Sequence, residues 1–275
     1  MSKYSLIYLR EPGRPFPGEG ITMNNQEIKA NLNLHAVLQN IEELTVLDRE
    51  AADMVKNWDL SIRFAVRKGP RAFLNFSGGR CTYTEEPVRK PTISLYFLSH
   101  EHCNKMFDDK AAPVILKGFT RIGFLLKDFP KLTKRLEYYL KPAEGLLSDK
   151  KFLEVNTRMT LNTAVFAARD LARGERDSIM NAEQIGLGTM MIKVLPGGPA
   201  VTIDFGKNAI SVKKEETSQP RCALYFKNVK IANDFFNGRI DTYSAVACGD
   251  VAIRGLALML DSMAMILNRI PKYLS

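Results

Sequence analysis

The sequence has no apolar run long enough to cross a membrane, and it has little histidine. A membrane-spanning helix needs roughly 18 or more uninterrupted apolar residues, and no segment approaches that length. The apolar run at residues 4–9 is shorter than a signal-peptide core and has no small-residue cleavage site after it. We interpret residues 4–9 as a strand, residues 11–20 as a Pro- and Gly-rich loop, and the chain as cytoplasmic. The C-terminal residues KYLS differ from a Ser-Lys-Leu peroxisomal address.

The cysteines lack paired spacing and the histidines are too few for a catalytic set. Scattered cysteines without a C-x-x-C pair are typical of reduced, buried thiols rather than a disulfide framework. The four cysteines are Cys81, Cys103, Cys222 and Cys248. The three histidines are His35, His100 and His102. No general-base or nucleophile constellation is formed by these residues. The sequence therefore predicts a protein that is not an enzyme and that needs no cofactor.

Two local patterns are similar to ligand sites, but they predict a helix start and hairpin turns. His100 and His102 would share a face of a strand and could hold a metal there, but two positions apart at a helix start they diverge. We expect a helix start and no metal. The glycine pairs at 78–79 and 197–198 and the G-x-G at 186–188 lack the spacing of phosphate-binding loops. We interpret them as hairpin turns.

The chain contains an internal duplication. A shift of 129 residues aligns residues 69–107 with 198–236 without a gap, and repeats of this kind decide the fold. The register holds ten identities, among them Gly69/Gly198, Pro70/Pro199, Tyr96/Tyr225, Asn104/Asn233 and Phe107/Phe236. Because 275 residues are enough for two domains of roughly 100 to 150 residues, the repeat predicts two units, residues 1–143 and 144–275.

Each unit has the same predicted elements. A helical spacing of apolar residues comes first, and NLNLHAVLQNIEEL (31–44) aligns with RMTLNTAVFAARDL (158–171). Three alternating strands with Gly-containing turns follow, and then a fourth strand after Pro91 or Pro220. In this fourth strand Leu95 and Phe97, or Leu224 and Phe226, share a face.

The end of the second unit resembles a known family. Gly238 followed by a basic residue, Ser244-Ala245, Gly249 and then Ile253-x-Gly255 occur in the order found in sterol carrier protein type 2 domains, and the resemblance covers residues 184–275. The first unit resembles the family over residues 57–126 but is shorter before its last strand, and Pro130 interrupts its closing helix. The resemblance implies an α+β fold of two units, each a mixed sheet of about five strands covered by helices. It also implies an apolar tunnel for a sterol, fatty acid, acyl-CoA or phospholipid, with no catalytic residues.

The closing helix agrees with such a pocket. Residues 256–267 are apolar around most of the helix, so we expect the helix to be covered on nearly all sides. Methionine is flexible and suits a wall that adapts to ligands. The alternative is that these residues are ordinary core, and it is the resemblance that favours a pocket. The candidate ligand-binding residues are Leu224, Phe226, Phe235, Phe236, Val246, Ile253, Leu256, Met259 and Met263 in the second unit, and Leu95, Phe97 and Phe107 in the first.

The net charge of +9 is compatible with an anionic partner. Basic residues around Arg67 are not repeated in the second unit, so no nucleic-acid binding is expected. Residues 127–141 predict a helix with leucines on one side and Lys131, Lys134 and Arg135 on the other, which could meet an anionic membrane. The alternative is an ordinary helix that packs its leucines on its own sheet.

Two functions follow from these observations. The first is non-enzymatic binding or transfer of an apolar or amphipathic lipid. The second is a ligand-free interaction or dimerisation module, in which the two units pair and serve as an accessory to an enzyme. An empty or lipid-filled cavity would favour the first, and sheets filled by large side chains the second. The sequence leaves open whether the chain forms a homo-oligomer.

Overall fold

The computed structural model describes residues 22–143 and 145–274. The predicted strand at residues 4–9 and the predicted loop at residues 11–20 lie outside the described residues. No helix in the described ranges is long and apolar enough to span a membrane.

The chain contains two five-stranded mixed sheets of the same topology. The first has the order β3-β2-β1-β4-β5 and the second the order β10-β9-β6-β7-β8. The strands β4 and β9 run parallel to β1 and β6, and all other pairs are antiparallel. The bounds of the first sheet are β1 Leu60–Val66, β2 Arg71–Ser77, β3 Arg80–Thr84, β4 Ile93–Phe97 and β5 Val114–Lys117. Those of the second are β6 Gly188–Val194, β7 Ala200–Phe205, β8 Ile210–Lys213, β9 Cys222–Phe226 and β10 Val251–Gly255. The duplicated α+β fold predicted from the sequence is confirmed.

Helices flank both sheets. The first unit has α1 Asn25–Leu32, a π-helical turn Asn33–Val37, α2 Asn40–Leu47, α3 Arg49–Val55, α4 His100–Phe107, α5 Ile122–Lys127 and α6 Phe129–Leu140. The second has α7 Lys150–Gly174, α8 Arg176–Ile185, α9 Val229–Phe236, α10 Thr242–Ala247 and α11 Ala257–Leu267. Short 3₁₀ turns occur at Phe119–Arg121, Leu146–Ser148 and Ile270–Lys272.

The strand pattern follows from alternation of apolar residues. The spacing of two residues puts Leu74 and Phe76 on one face of β2, and Ile203 and Phe205 on one face of β7, and all four are at most 1% exposed. Gly78 and Gly79 form the β2–β3 turn with positive φ angles of 58° and 75°, which glycine adopts without steric cost. The prediction for residues 186–188 was wrong, because this G-x-G joins α8 to β6 rather than two strands.

The two units differ where the sequence predicted a difference. In the first unit residues 108–113 join α4 directly to β5, whereas α10 lies between α9 and β10 in the second. The first unit has no equivalent of α10 among its described residues. Pro130 stands in the first turn of α6, and the chain breaks the helix between Lys127 and Phe129. The closing helix of the first unit is therefore split into α5 and α6.

The first helix of each unit enters the core of the other unit. Ile28 and Leu32 of α1 pack in the hydrophobic core of the second sheet. Val155 and Met159 of α7 pack in the core of the first sheet. These four positions are equivalent in the alignment of the two helices, 28 with 155 and 32 with 159. The packing of the two units is therefore reciprocal.

The buried-thiol prediction is right for three cysteines and wrong for the fourth. Cys81, Cys103 and Cys222 are buried, and all four are free thiols. Cys248 is exposed because it caps the C-terminal end of α10, at the surface of the second unit.

Candidate functional site

The predicted ligand-binding wall of the second unit contains a cluster of three phenylalanines. Phe226 ends β9, and Phe235 and Phe236 end α9. The ring centroids of Phe226 lie 5.0 Å from Phe235 and 5.4 Å from Phe236, and those of Phe235 and Phe236 are 5.6 Å apart. Asn228 starts α9 by accepting a hydrogen bond from the Ile231 N–H at 2.9 Å, which directs the helix back over the strand.

The inner face of α11 completes this wall with flexible side chains. Met259, Met263 and Ile266 are at most 1% exposed and pack in the same core as Phe226 and Leu224. Because α11 also packs against α8 and α7, the methionines are held between the sheet and these helices. Gly255 precedes the helix with a φ of 90°, and a Cβ there would overlap the carbonyl oxygen of Arg221. Only glycine allows the chain to turn from β10 so close to β9.

The outer face of α11 corrects one expectation. The helix was expected to be covered on nearly all sides, but Leu258 and Met265 are 55% and 57% exposed. They lie on one face of the helix, with exposed Asp261 between them. Leu256, a predicted wall residue, is 38% exposed just before the helix. An apolar surface is therefore left open on the outside of α11.

The structure brings together most, but not all, of the predicted wall residues. Leu224, Phe226, Phe235, Phe236, Ile253, Met259 and Met263 belong to one packed cluster. Val246 of α10 and Leu256 lie at the surface, each 38% exposed. In the first unit Leu95 and Phe97 are buried, and Phe107 is a partly buried side chain that packs against the same core.

A polar cluster that sequence reasoning did not find lies between the units. We call it the seam and define it by His35, Glu42, Glu85, Arg169, Asp170 and Lys214. Nδ1 of His35 lies 3.2 Å from Asp170 Oδ2, and its Nε2 lies 3.2 Å from the carbonyl oxygen of Arg71. Both partners are acceptors, so the ring can donate to both of them only as an imidazolium. Burial lowers the pKa of His35, but the hydrogen bond and charge of Asp170 outweigh burial and raise it above the ordinary value.

The seam also holds two ion pairs that are copies of each other with the charges exchanged. Glu42 Oε2 binds Lys214 Nζ at 2.6 Å, and Arg169 Nη1 binds Glu85 Oε1 at 2.5 Å. In the alignment, position 42 is equivalent to 169 and position 85 to 214. Each pair joins one unit to the other. Two copies of the first unit would place Glu opposite Glu here, and two copies of the second would place Arg opposite Lys. The two different units pair opposite charges instead.

An open cleft of 610 Å³ lies away from the predicted wall. It is lined by the start of α3, by α6 and by the start of α7, with several charged residues and the rings of Tyr138, Tyr139 and Phe152. Its central contact is between Asp48 and Arg135, at 2.7 Å. The cleft is open and largely lined by charged residues, unlike the apolar tunnel that the resemblance implied.

Arg135 is one of the residues that could meet an anionic membrane by the sequence pattern, and the structure places it in an ion pair instead. Its guanidinium makes two hydrogen bonds to Asp48 and lies 4.6 Å from the ring centre of Tyr138. Leu132 and Leu136 of the same helix are buried in the first core. The ordinary-helix alternative therefore describes α6 better, although Lys131 and Lys134 remain exposed.

The His100/His102 pattern lies at the start of α4, as expected. Nε2 of His102 lies 2.9 Å from the carbonyl oxygen of Ala112, and its Nδ1 accepts from the Leu98 N–H at 3.2 Å. Both ring nitrogens are thus used by backbone groups. Within residues 22–143 and 145–274 no group of three or more His, Cys, Asp or Glu side chains could hold a metal ion.

No protein-family model and no curated protein matches this chain. Solved structures of sterol carrier protein 2 domains are similar to it. The protein from Yarrowia lipolytica is 16% identical, covering 37% of this chain and 84% of its own with a TM-score of 0.29. Sterol carrier protein domain 2 of Helicoverpa armigera is 15% identical, covering 40% and 87% with a TM-score of 0.31.

A third similar structure is a UbiJ-SCP2 ubiquinone synthesis protein, 10% identical over 40% of this chain and 92% of its own, with a TM-score of 0.31. The class of this protein is a duplicated α+β fold with two five-stranded mixed sheets, as its own strand order shows. The chain resembles sterol carrier protein 2 domains, the family named from the closing residues of the second unit. At this level of identity the similarity concerns the fold and leaves the function to be argued from the site.

Proposed function

We propose that the second unit binds an apolar or amphipathic lipid and that the chain carries or presents this ligand without catalysing a reaction. The ligand classes are a sterol, a fatty acid, an acyl-CoA or a phospholipid. The observation that supports the proposal is the apolar inner face of α11, together with the two large apolar side chains that flank Asp261 on its outer face. A helix with only a packing role usually presents polar residues to water, whereas α11 exposes Leu258 and Met265 by more than half.

The binding space would lie between the sheet and α11. Met259 and Met263 pack in one core with Phe226, and unbranched methionines can change rotamer to admit an alkyl chain. A tunnel of roughly 300 to 1,000 Å³ would suffice for one lipid. Each buried methylene would contribute about 0.8 kcal/mol to binding. Leu95, Phe97 and Phe107 form the equivalent wall of the first unit, whose connection before β5 is shorter.

The test is to purify the chain under non-denaturing conditions, extract it with organic solvent and identify the extract by mass spectrometry. A stoichiometric lipid is expected. Met259→Gln places an amide in the wall, and it should lower the bound lipid while circular dichroism shows a folded chain. Met180→Gln is the matched control, because Met180 is 57% exposed on α8. A chain that stays free of ligand after incubation with fatty acids and sterols would contradict the proposal.

A second function is supported by a different observation. Phe226, Met259 and Met263 are each at most 1% exposed, and each unit inserts a helix into the core of the other. Well-filled, interlocked units are what a ligand-free interaction module needs, as an accessory to a partner enzyme. The extraction experiment separates the two functions, because the module would yield no lipid and the carrier would.

A further inference from the structure

An exposed apolar stripe runs along the closing segment of the first unit. We define the stripe by Phe119, Ile122 and Leu126, which are 63%, 40% and 73% exposed. Their spacing of three and four residues places them on one side of the 3₁₀ turn and of α5. Phe124 lies on the opposite side of α5, with its ring centre 4.7 Å from that of Trp58. Because Phe124 anchors α5 to the core, the stripe must face outward.

The surroundings of the stripe are basic. From Lys110 to Lys127 the chain has four basic residues and no acidic one. Arg121 and Lys127 are exposed, and neither makes an ion pair within the described part of the chain. Asp128, the next residue, is already paired with Lys131 at 3.5 Å. The stripe thus combines exposed apolar side chains with cations that have no acidic partner.

The second unit does not repeat this combination. The equivalent segment there places exposed Asp261 between Leu258 and Met265, and α11 carries no basic residue. The cationic stripe therefore belongs to the first unit alone. It also lies outside the wall assigned to ligand binding.

We propose that the stripe is the docking surface of this protein for an anionic lipid bilayer. Apolar side chains of a short helix enter the boundary between headgroups and acyl chains, and neighbouring Lys and Arg residues bind the anionic headgroups. An exposed stripe needs no partner of complementary shape at a fluid interface. This inference goes beyond the proposed function, because docking at the bilayer surface requires no ligand inside the second unit.

A second copy of the chain fits the stripe less well. In a two-fold symmetric contact the same basic patch would lie on both sides, so Arg121 and Lys127 would approach basic residues of the other copy, and like charges in contact are unfavourable. The three exposed side chains also offer on the order of 300 Å², well below the about 800 Å² per partner of a standard protein interface.

The test measures co-flotation of the full chain with vesicles of phosphatidylcholine alone and with vesicles that also contain phosphatidylglycerol. We expect binding to the anionic vesicles only, weakened by added NaCl. Leu126→Glu should lower the vesicle affinity at least about tenfold, and Arg121→Gln or Lys127→Gln about fivefold each. Val88→Glu is the matched control, because Val88 is 72% exposed outside the stripe, and it should bind as the parent chain does.

Three outcomes would overturn the proposal. They are absence of binding to anionic vesicles, equal binding by Leu126→Glu and the parent chain, and dimerisation in sedimentation that Leu126→Glu abolishes without any vesicle binding. All variants change exposed residues, and circular dichroism verifies their folding. Lipid extracted from the stripe variants reports separately on the second unit, so failure of docking and failure of ligand binding are distinguishable.

Discussion

Replacing His35 with glutamine should weaken the structure in a way that depends on pH. His35 lies in the π-helical turn of the first unit and connects it to Asp170 of α7 and to the Arg71 carbonyl of β2. Both contacts require a donor from the ring. Glutamine keeps a polar side chain of similar length but has no charge, and its amide can direct a donor to only one of the two acceptors.

The size of the effect follows from these two contacts. A hydrogen bond to a charged group contributes about 1.5–3 kcal/mol, and a neutral one about 1 kcal/mol. Asp170 keeps its contact with Arg169 Nε at 2.8 Å, so the carboxylate would not be left without a partner. We therefore expect His35→Gln to lower the free energy of unfolding by about 2–4 kcal/mol near pH 6.

The direction of the pH dependence follows from the raised pKa of His35. The charged groups that face the ring are Asp170 and Glu85, which favour the imidazolium, and Arg169, which opposes it. A raised pKa in the folded state means that folding holds the proton more tightly. The stabilisation by His35 is complete below the ordinary value of 6.5 and is lost as the pH rises through the folded pKa.

The assay is urea unfolding of the parent chain and of His35→Gln at about pH 6 and about pH 9. The difference between the two proteins should be large near pH 6 and shrink near pH 9, and the comparison cancels groups that titrate in both. His100→Gln is the control, since His100 has no acidic partner within the described residues. A difference that is equal at both pH values, or larger near pH 9, would refute the imidazolium assignment.

Two further predictions concern ion pairs. In a double-mutant cycle, Glu42→Gln and Lys214→Met should show a coupling free energy of about 1 kcal/mol that decreases with added NaCl. The reason is that this pair joins the units and is only partly exposed, at 34% for the Glu42 side chain and 18% for that of Lys214. Independent effects of the two substitutions would contradict the pairing. Arg135→Met should cost about 2–3 kcal/mol in urea unfolding, because it leaves Asp48 buried with Tyr139 as its remaining side-chain donor. The exposed Arg49→Met control should cost under about 0.5 kcal/mol, and equal losses would contradict the role of Arg135.

The repeated strands and their faces could be predicted from the order of residues alone. Alternation of apolar residues is a local property, since successive side chains of a strand point to opposite faces. Burial can therefore be predicted without knowledge of the rest of the fold for Leu74, Phe76, Ile203 and Phe205. The identities at a shift of 129 residues predict that both copies have the same topology. The strand orders of the two sheets confirm this prediction.

The residues of the candidate wall could be predicted only in part from their spacing. Spacing in β9, α9 and α11 identified side chains that pack in one cluster. Spacing did not show that Leu256 and Val246 lie at the surface, or that Leu258 and Met265 stay uncovered. Periodicity states which residues share a face, but the neighbour that covers the face comes from a distant segment.

The way in which the two units meet could not be predicted from the sequence. Glu42 and Lys214 are far apart in the chain, as are Glu85 and Arg169, and the choice of partner for a charged residue has no local signal. The partner of Arg135 has no local signal either. The sequence pattern predicts a solvent-facing cation, and the fold places Asp48 beside it. A charge in a helix is typical of a surface, and it becomes part of a buried contact only when folding supplies an opposite charge that offsets the cost of leaving water.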